Sequence, residues 1–471
     1  MTGVNSLWDA IGRSGAATRG LAAPAAILGR KSSFAIADLA VGSTLGPSLE
    51  TLRGRAVLLS TREQLATAVA LIELDGVARR MVLCTPDLTP QQLLSIAAAA
   101  EADCIVSDTA PGATSPLTPF VLAGRPQPAP SGLERRASEH TEWILLTSGT
   151  TGAPKLVAHT LETLAGTLPA QPRDAKPSTW STFYDIRRYG GLQIYLRAVL
   201  GRAPLVLSSS AESTHDFLAR AAAAGVTHIS GTPSHWRRAL MSGEARILKP
   251  EYVRLSGEVA DQALLDSLGA AYPNALVAHA FASTEAGLAF EVNDGLAGFP
   301  ADFLGAHPQI EMKIVDGTLR VRSGRTALRY IGSAGGDLAG GDRFVDTGDR
   351  VELVDQRYYF RGRMGGVINV GGLKVYPEEV ESVLNADPRV RMSLVRARRS
   401  PITGAVAVAD VVLADGVAAD GSVALNTLKT DLLDACRRAL PAHKVPATLR
   451  FVRALELTTA GKIVRPSDAP S

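Results

Sequence analysis

Short apolar runs alternate with longer amphipathic stretches in the first quarter of the chain. Residues 56–108 contain the runs AVLLS, MVLCT and CIVSD, separated by two segments in which apolar residues recur with helical spacing. Strands that alternate with helices in this way predict βαβ units and a parallel sheet. The stretch 111–130 holds six prolines, which fit neither a helix nor a central strand, so we expect an extended connection there.

The same alternation returns between about residues 142 and 294, where the runs WILLT, APLVL, THIS and ALVAH are separated by helical stretches. From residue 305 to 360 short strands between Gly and Asp turns replace the helical period, which predicts a small β-rich subdomain near 296–361. The pattern predicts an α/β fold: an N-terminal domain, 1–361, of doubly wound sheets plus this β-rich subdomain, followed by a small α+β domain, 362–471.

Composition narrows the class of protein. A chain of 471 residues with 46% hydrophobic and 20% charged residues should form two or three packed units. The 49 basic and 46 acidic residues give a net charge of +3 without any run of five or six like charges, which argues against a nucleic-acid partner. Three widely separated cysteines exclude a disulfide framework and favour a cytoplasmic setting, and we expect neither a signal peptide nor a membrane span.

A glycine-rich loop is the most informative segment. Residues 147–155 read TSGTTGAPK, between an apolar strand and a helix predicted to begin near Val157. Small residues let backbone N–H groups approach phosphate oxygens, while hydroxyls and a lysine add donors. The alternative is an ordinary surface turn, and the loop is not a Walker A motif because no Ser or Thr follows the lysine. The candidate phosphate-binding residues are Thr147, Ser148, Gly149, Thr150, Thr151, Gly152 and Lys155.

Four further motifs follow this loop in a fixed order. They are FASTE at 281–285, TGD at 347–349, the pair at 362–363 followed by INVGGLKVYPEEVE, and LTTAGKIVR at 457–465. Together with TSGTTGAPK they resemble the signatures of the adenylate-forming superfamily of acyl-CoA synthetases, luciferases and adenylation domains. The resemblance implies an ATP-dependent acid:CoA ligase that forms an acyl-AMP intermediate, releases pyrophosphate and uses ATP, Mg²⁺ and CoA.

The resemblance also implies roles for residues of the nucleotide site. Thr284 and Glu285 would hold Mg²⁺ against the phosphates, Asp349 would accept hydrogen bonds from the ribose hydroxyls with Arg363 beside it, and Lys462 would be the catalytic cation. The remaining expected nucleotide-binding residues are Phe281 against the adenine, Ala282 in place of the usual glycine, Ser283, Gly257, Glu258 and Lys374.

The acyl and thiol sites rest on weaker matches. The candidates for the acyl pocket are Tyr184, Arg187, Tyr189, His235 and Ser256. The glycines Gly371 and Gly372 would let a pantetheine arm pass close to the backbone. The family often carries a charged side chain at the hinge, where this chain has Gly365 followed by Gly366, so we expect easy rotation of the C-terminal domain.

The substrate is expected to be a small-molecule carboxylic acid. Asp185 is out of register for holding an amino group, so an aryl or short-to-medium aliphatic acid is favoured over an amino acid. Two alternatives remain: a stand-alone adenylation enzyme that loads an acyl group onto a carrier protein supplied in trans, and a non-catalytic nucleotide-binding protein.

Overall fold

The computed structural model describes most of the chain. The described residues are 6–12, 25–40, 42–109, 117–122, 127–128, 138–147, 154–166, 177–305, 310–332, 338–400, 403–417, 422–458 and 461–465. Five of the candidate phosphate-binding residues lie outside the described residues: Ser148, Gly149, Thr150, Thr151 and Gly152.

The first sheet contains seven strands within the described residues, and its central strands are parallel. Helices Gln64–Leu74 and Pro90–Ala99 connect the first parallel strands, which confirms the predicted βαβ units. Thr89 caps the second helix in a capping box with Gln92, and Pro90 occupies its first turn. In sheet order the strands are Arg329–Ile331, Lys155–His159, Glu142–Thr147, Arg80–Cys84, Ala56–Ser60, Cys104–Ser107 and Thr118–Val121.

A second sheet carries eight strands in the part of the chain that the structure describes. Its middle strands are parallel and connected by helices, and the strand Gly287–Val292 closes one edge antiparallel to its neighbour. In sheet order the strands are Gly287–Val292, Leu276–Ser283, Tyr252–Ser256, His228–Gly231, Trp180–Thr182, Leu205–Leu207, Ala26–Leu28 and Ser33–Ala35. Both sheets together confirm the predicted doubly wound α/β architecture.

The predicted β-rich subdomain is an antiparallel sheet with the strands Phe299–Pro300, Arg357–Arg363, Val345–Val354, Thr318–Ser323 and Ile310–Val315. The C-terminal region contains a sheet of Val390–Ser400, Gly404–Leu413 and Thr448–Phe451, and a hairpin of Ile368–Val370 and Leu373–Val375. A last pair joins Gly42–Ser43 to Gln127–Pro128. The boundary at residue 362 stays a prediction; the long strand ends at Arg363 and a 3₁₀ turn, Met364–Gly366, follows.

The other helices cover the sheets. They are Leu7–Gly12, Ser48–Thr51, Leu161–Ala165, Tyr189–Leu200, Thr214–Ala223, Pro233–Met241, Gln262–Ala271, Pro377–Asn385 and Ser422–Ala439, with 3₁₀ turns at Ile36–Ala40, Glu244–Ile247, Ala301–Leu304 and Ala442–Lys444. None of the helices in the described segments combines the length and the apolar character that a membrane crossing requires.

One sequence-based expectation is wrong. Val157 does not begin a helix but lies in the strand Lys155–His159, which pairs antiparallel with Glu142–Thr147. The apolar run after the glycine-rich loop is fully buried between two strands, and the short helix Leu161–Ala165 starts only after Thr160, whose hydroxyl caps it. The loop therefore connects two strands of one sheet and turns the chain back.

The three cysteines lie in the cores. Cys84, Cys104 and Cys436 are buried free thiols, and burial raises the pKa of Cys84 and of Cys104 to about 12. No reactive thiol is therefore available at neutral pH among these residues.

Candidate active site

The loop that carries Lys462 is docked on the N-terminal end of helix Pro233–Met241. The hydroxyl of Thr232 donates to the carbonyl of Gly461 at 2.9 Å. The amide of Ile463 donates to Glu258 Oε1 at 3.1 Å, and the same carboxylate accepts from the amide and the hydroxyl of Ser234. Glu258, expected at the nucleotide, thus joins the start of this helix to the lysine loop.

Gly461 is the point of closest approach. It adopts the left-handed conformation, with φ of +70°, and a methyl group on its Cα would overlap the imidazole of His235. His235 is itself fixed: its Nδ1 accepts a hydrogen bond from the Thr232 amide and lies 3.0 Å from the Thr232 hydroxyl, and its ring stacks on Phe183. Burial lowers the pKa of His235 to about 3, so the ring is neutral at physiological pH.

Docking places the side chain of Lys462 over Gly257. A Cβ atom at Gly257, whose φ is +87°, would lie 3.2 Å from Lys462 Cε and 3.6 Å from Nζ, so glycine leaves the room that the lysine occupies. Burial and then the charge of Arg363 lower the pKa of Lys462, while Glu258 and Asp349 oppose the shift. Residues far apart in the sequence are thereby brought to one cleft.

Asp349 has an unsatisfied buried acceptor. Arg363 Nε lies 3.2 Å from Asp349 Oδ1, whereas Oδ2 is buried and has no hydrogen-bond partner among the described residues. Burial raises the pKa of Asp349, and Arg363 counteracts the rise. A buried carboxylate oxygen without a donor fits a ligand hydroxyl, as the predicted ribose contact requires.

Glu285 lies at the edge of a cavity of about 500 Å³. Tyr330, which the sequence did not suggest, donates to Glu285 Oε1 at 3.5 Å, and the ammonium group of Lys155 lies 5.1 Å from the centre of the same ring. Tyr330 therefore links the end of the glycine-rich loop to Glu285. Other residues lining the cavity are Ser283, Thr347, Gly348, Arg363 and Met364.

His159 holds the neighbouring Thr284 in place. Its Nε2 lies 2.7 Å from the Thr284 carbonyl and its Nδ1 lies 2.9 Å from the Thr163 hydroxyl. Because the carbonyl can only accept, Nε2 carries the proton and donates. Burial lowers the pKa of His159 to about 4. The available signal in the sequence was a lone histidine at the end of a buried strand.

Phe281 lies in a row of aromatic rings. Its ring centroid is 5.0 Å from that of Phe360 and 5.7 Å from that of Phe290, and it stacks on both. The ladder between strands shifts register between Phe281 and Ala282, and the strand Leu276–Ser283 continues to the turn at 284–286. Phe281 is half-buried, so its expected contact with adenine stays a prediction.

Three predicted acyl residues come together beside the lysine loop. The hydroxyl of Tyr184 lies 2.8 Å from the Ser256 carbonyl and 2.9 Å from its hydroxyl, and the Tyr184 ring packs edge-on to His235. Tyr189, at the start of helix Tyr189–Leu200, lies farther along, with its ring centroid 5.8 Å from that of His159.

Arg187 does not join this group. Its side chain is 3% exposed, donates to both carboxylate oxygens of Asp185, and donates through Nη1 to the Thr61 carbonyl. These bonds brace the chain before helix Tyr189–Leu200, and the acyl contact expected of Arg187 stays a prediction. The next residue, Arg188, lies closer to the cleft, since its charge acts on Lys462, and it approaches Asp87 at 3.4 Å. The two arginines are adjacent in the sequence, but their side chains have different partners.

The predicted thiol-site residues lie elsewhere. Gly371 and Gly372 form the exposed turn of a hairpin, where the amide of Gly371 donates to the Thr403 carbonyl, and Lys374 is exposed on the following strand. Gly365 is exposed in the 3₁₀ turn, with open space where a Cβ would be. Their roles stay predictions.

Comparison with known families identifies two matching regions. A profile described as AMP-binding enzyme matches residues 56–326, and a profile described as AMP-binding enzyme C-terminal domain matches residues 379–462. The first region covers more than half of the chain.

Individual relatives match in different ways. The chain is 26% identical over 388 residues to the probable non-canonical nonribosomal peptide synthetase CymA of Salinispora arenicola, covering 74% of this chain and 5% of CymA. It is 35% identical over 126 residues to the mitochondrial acyl-coenzyme A synthetase ACSM5 of Homo sapiens, covering 26% of this chain and 21% of ACSM5. The matches thus span about a fifth or less of each relative.

Solved structures share the fold. The crystal structure of the anthranilate CoA ligase AuaEII in complex with anthranoyl-AMP matches with a TM-score of 0.79 and 19% identity, covering 97% of this chain and 95% of that chain. Identity this low establishes the architecture and not the substrate.

We expect Gly461→Ala to block docking of the lysine loop, because its methyl group would overlap His235. The adenylation rate should fall at least about 100-fold, as expected when a transition-state charge is misplaced. Carboxylate-dependent exchange of pyrophosphate into ATP measures this step. Gly416→Ala is the matched control, since Gly416 has a φ of +79° and no atom within 4 Å of its Cβ position. Equal losses in the two variants would show that backbone strain, and not docking, is responsible.

The buried His159 should make stability pH-dependent. Its pKa is about 4 in the folded chain against 6.5 in the reference state, so the unfolded chain binds the extra proton as the pH falls below 6.5. This residue alone should lower the free energy of unfolding by about 2 kcal/mol between about pH 7.5 and pH 5. Urea unfolding should show a drop smaller by that amount in His159→Gln than in the wild type. An identical pH dependence in both proteins would contradict the assignment.

Proposed function

The chain belongs to the AMP-binding enzyme family, and we propose that it is an ATP-dependent acid:thiol ligase that activates a small carboxylic acid as its acyl-adenylate and transfers the acyl group to CoA. The observation that carries the proposal is the docked lysine loop. It brings Lys462 beside Gly257 and within the electrostatic reach of Asp349 and Arg363.

Adenylation joins two anions, so positive charge at the reacting phosphate is the main requirement. Lys462 supplies one cation, and Arg363 and Arg188 are close enough for their charges to act on it. A carboxylate substrate placed between Lys462 and the α-phosphate would have its negative charge offset as its oxygen attacks and pyrophosphate leaves. Asp349 would hold the ribose, through Oδ2, and so fix the α-phosphate relative to Lys462.

Glu285 fits a magnesium ion that also binds phosphate. Its carboxylate oxygens are hard ligands at the edge of the cavity, and the described residues offer no group of three or more His, Cys, Asp or Glu side chains that would hold a metal by themselves. Mg²⁺, when bound, supplies neutralisation of phosphate charge. His159 and Tyr330 would orient Glu285 for this contact.

A carrier-protein acceptor is the second candidate. The match to CymA covers 74% of this chain, whereas the more identical match to ACSM5 covers 26%. The bare backbone turn at Gly371 and Gly372 would let either pantetheine arm pass, and we favour CoA because it needs no protein partner. Supplying CoA and a phosphopantetheinylated carrier protein in separate reactions would show which of them accepts the acyl group.

The test is a pyrophosphate-release screen over a panel of carboxylic acids, with and without CoA, using wild type and Lys462→Ala. We expect acid-dependent release in the wild type and a reduction on the order of 10²–10³-fold in Lys462→Ala, the effect of losing one transition-state cation. Thioester formation from supplied acyl-adenylate should survive in the variant. Lys429→Ala, a lysine on helix Ser422–Ala439, is the control.

Two outcomes would contradict the proposal. ATP binding without acid-dependent pyrophosphate release by the wild type would leave a non-catalytic nucleotide-binding protein. Acylation of a carrier protein without any CoA consumption would select the carrier-loading enzyme.

The glycine hinge should affect the two steps differently. Gly365 has room for a side chain, so Gly365→Asp should restrict the backbone without a clash and slow the rotation between adenylation and thioester formation. The expected result is a several-fold lower overall rate, with the two half-reactions changed unequally in single-turnover measurements. Unchanged rates for both half-reactions would show that the hinge glycine does not control rotation.

A further inference from the structure

Three arginines form a cluster near the predicted acyl residues. Arg197 lies on helix Tyr189–Leu200 and Arg254 on strand Tyr252–Ser256, and the charge of Arg254 acts on Arg197. Arg325 adds a third guanidinium, which donates to the Leu288 carbonyl at 3.0 Å. The proposed adenylation chemistry does not use this cluster.

One carboxylate faces the cluster. Arg254 Nε lies 2.9 Å from Glu291 Oε2, and the hydroxyl of Tyr252 donates to the other oxygen of Glu291 at 2.7 Å. The side chain of Arg254 is 4% exposed and that of Glu291 is 30% exposed. The ion pair therefore extends from a buried arginine to a carboxylate in contact with solvent.

Arg197 is not matched by a carboxylate of its own. Its Nε atom is buried and has no hydrogen-bond partner in the described ranges of the chain. Glu291, already bonded to Arg254 and Tyr252, is the carboxylate whose charge acts on it among the described residues. Burial, followed by the charge of Arg254, lowers the pKa of Arg197. Two guanidinium groups thus share one carboxylate, which leaves a buried positive charge and an unused donor.

The position of the cluster relates it to the acyl site. Ser256, bonded to Tyr184, is two residues after Arg254 on the same strand, so both side chains face the same side of the sheet about 7 Å apart. Tyr189 precedes Arg197 by about two turns of one helix, and the charges of Arg254 and Arg197 act on its hydroxyl. Along strand Tyr252–Ser256, Arg254 therefore lies farther than Ser256 from Gly257 and Lys462.

We propose that the acid substrate carries a second anionic group, a carboxylate or a similar oxyanion, at the end remote from the reacting carboxylate, and that Arg197 and Arg254 bind it. This inference rests on the proposed acid-activating function. The reacting carboxylate would lie near Lys462, and Arg254 is about 7 Å beyond Ser256 along the strand. This distance favours dicarboxylic acids whose charged ends are separated by a short chain or one aromatic ring. An amino acid is disfavoured, because its ammonium group would add to the buried positive charge.

Pairs of acids that differ only at the far end test the proposal: hexanoate with adipate, and 4-methylbenzoate with terephthalate. The measured quantities are kcat/KM for acid-dependent pyrophosphate release and the dissociation constant of each acid in the presence of AMP. The proteins are wild type, Arg197→Gln, Arg197→Lys and, as a control, Arg322→Gln, whose arginine is exposed and paired with Glu311.

We expect the wild type to prefer the dicarboxylic member of at least one pair. Arg197→Gln should lower kcat/KM for that member roughly 10- to 100-fold, the effect of losing a charged hydrogen bond, and leave the monocarboxylic member unchanged. Arg197→Lys should retain part of the preference and Arg322→Gln all of it. Equal use of both members by the wild type, or an equal loss for both in Arg197→Gln, would overturn the proposal.

The binding measurements separate this proposal from the proposed function. If no acid supports pyrophosphate release but the dicarboxylic acids bind more tightly and depend on Arg197, the ligase function fails and the anion site stands. If both members bind equally in the wild type, the anion site is wrong even where adenylation is observed.

Discussion

The contact between the lysine loop and the N-terminal end of helix Pro233–Met241 determines the rest of the active site. It is made mostly by backbone groups: the carbonyl of Gly461 accepts from Thr232, and the amide of Ile463 donates to Glu258. Without this contact Lys462 would be a mobile residue near the end of the chain. With it, a cation that is about 110 residues beyond Asp349 in the sequence faces the same cleft.

A second feature of the site is that glycines lie where the lysine side chain and the lysine loop come close to other parts of the chain. Gly257 provides space for the lysine stem, Gly461 lets the loop approach His235, and the left-handed conformation at both positions excludes most other residues. Two buried neutral histidines hold backbone groups without adding charge: His235, beside Gly461, accepts from the Thr232 amide, and His159 donates to the Thr284 carbonyl.

Sequence patterns predicted the fold well because both sheets are built from local units. The run AVLLS and its neighbours became the strands Ala56–Ser60, Arg80–Cys84 and Cys104–Ser107 in the predicted parallel arrangement. The helix expected at Val157 was wrong because a five-residue apolar run is compatible with either structure, and its pairing with Glu142–Thr147 decides the outcome.

The sequence suggested candidate residues inside the motifs, such as Lys462, and outside them, such as Tyr184 and His235, but missed a residue that reaches the cleft only through strand pairing. Tyr330 reaches Lys155 and Glu285 through pairing of the strands Arg329–Ile331 and Lys155–His159, a contact across more than 170 residues that no local pattern reveals. Similarly, Arg187 and Arg188 are adjacent in the sequence but have different partners, Asp185 and Asp87, which two neighbouring arginines do not reveal.

Docking of the lysine loop and binding of the nucleotide should depend differently on ionic strength. Its described hydrogen bonds involve hydroxyl, carbonyl and amide groups with a single carboxylate, Glu258, and no cationic side chain. Dissolved salt screens attraction between exposed charges far more than such short contacts. Concentrated salt should therefore weaken binding of the polyanionic nucleotide but leave the lysine loop docked. An enzyme slowed by salt would then still have Lys462 in the cleft.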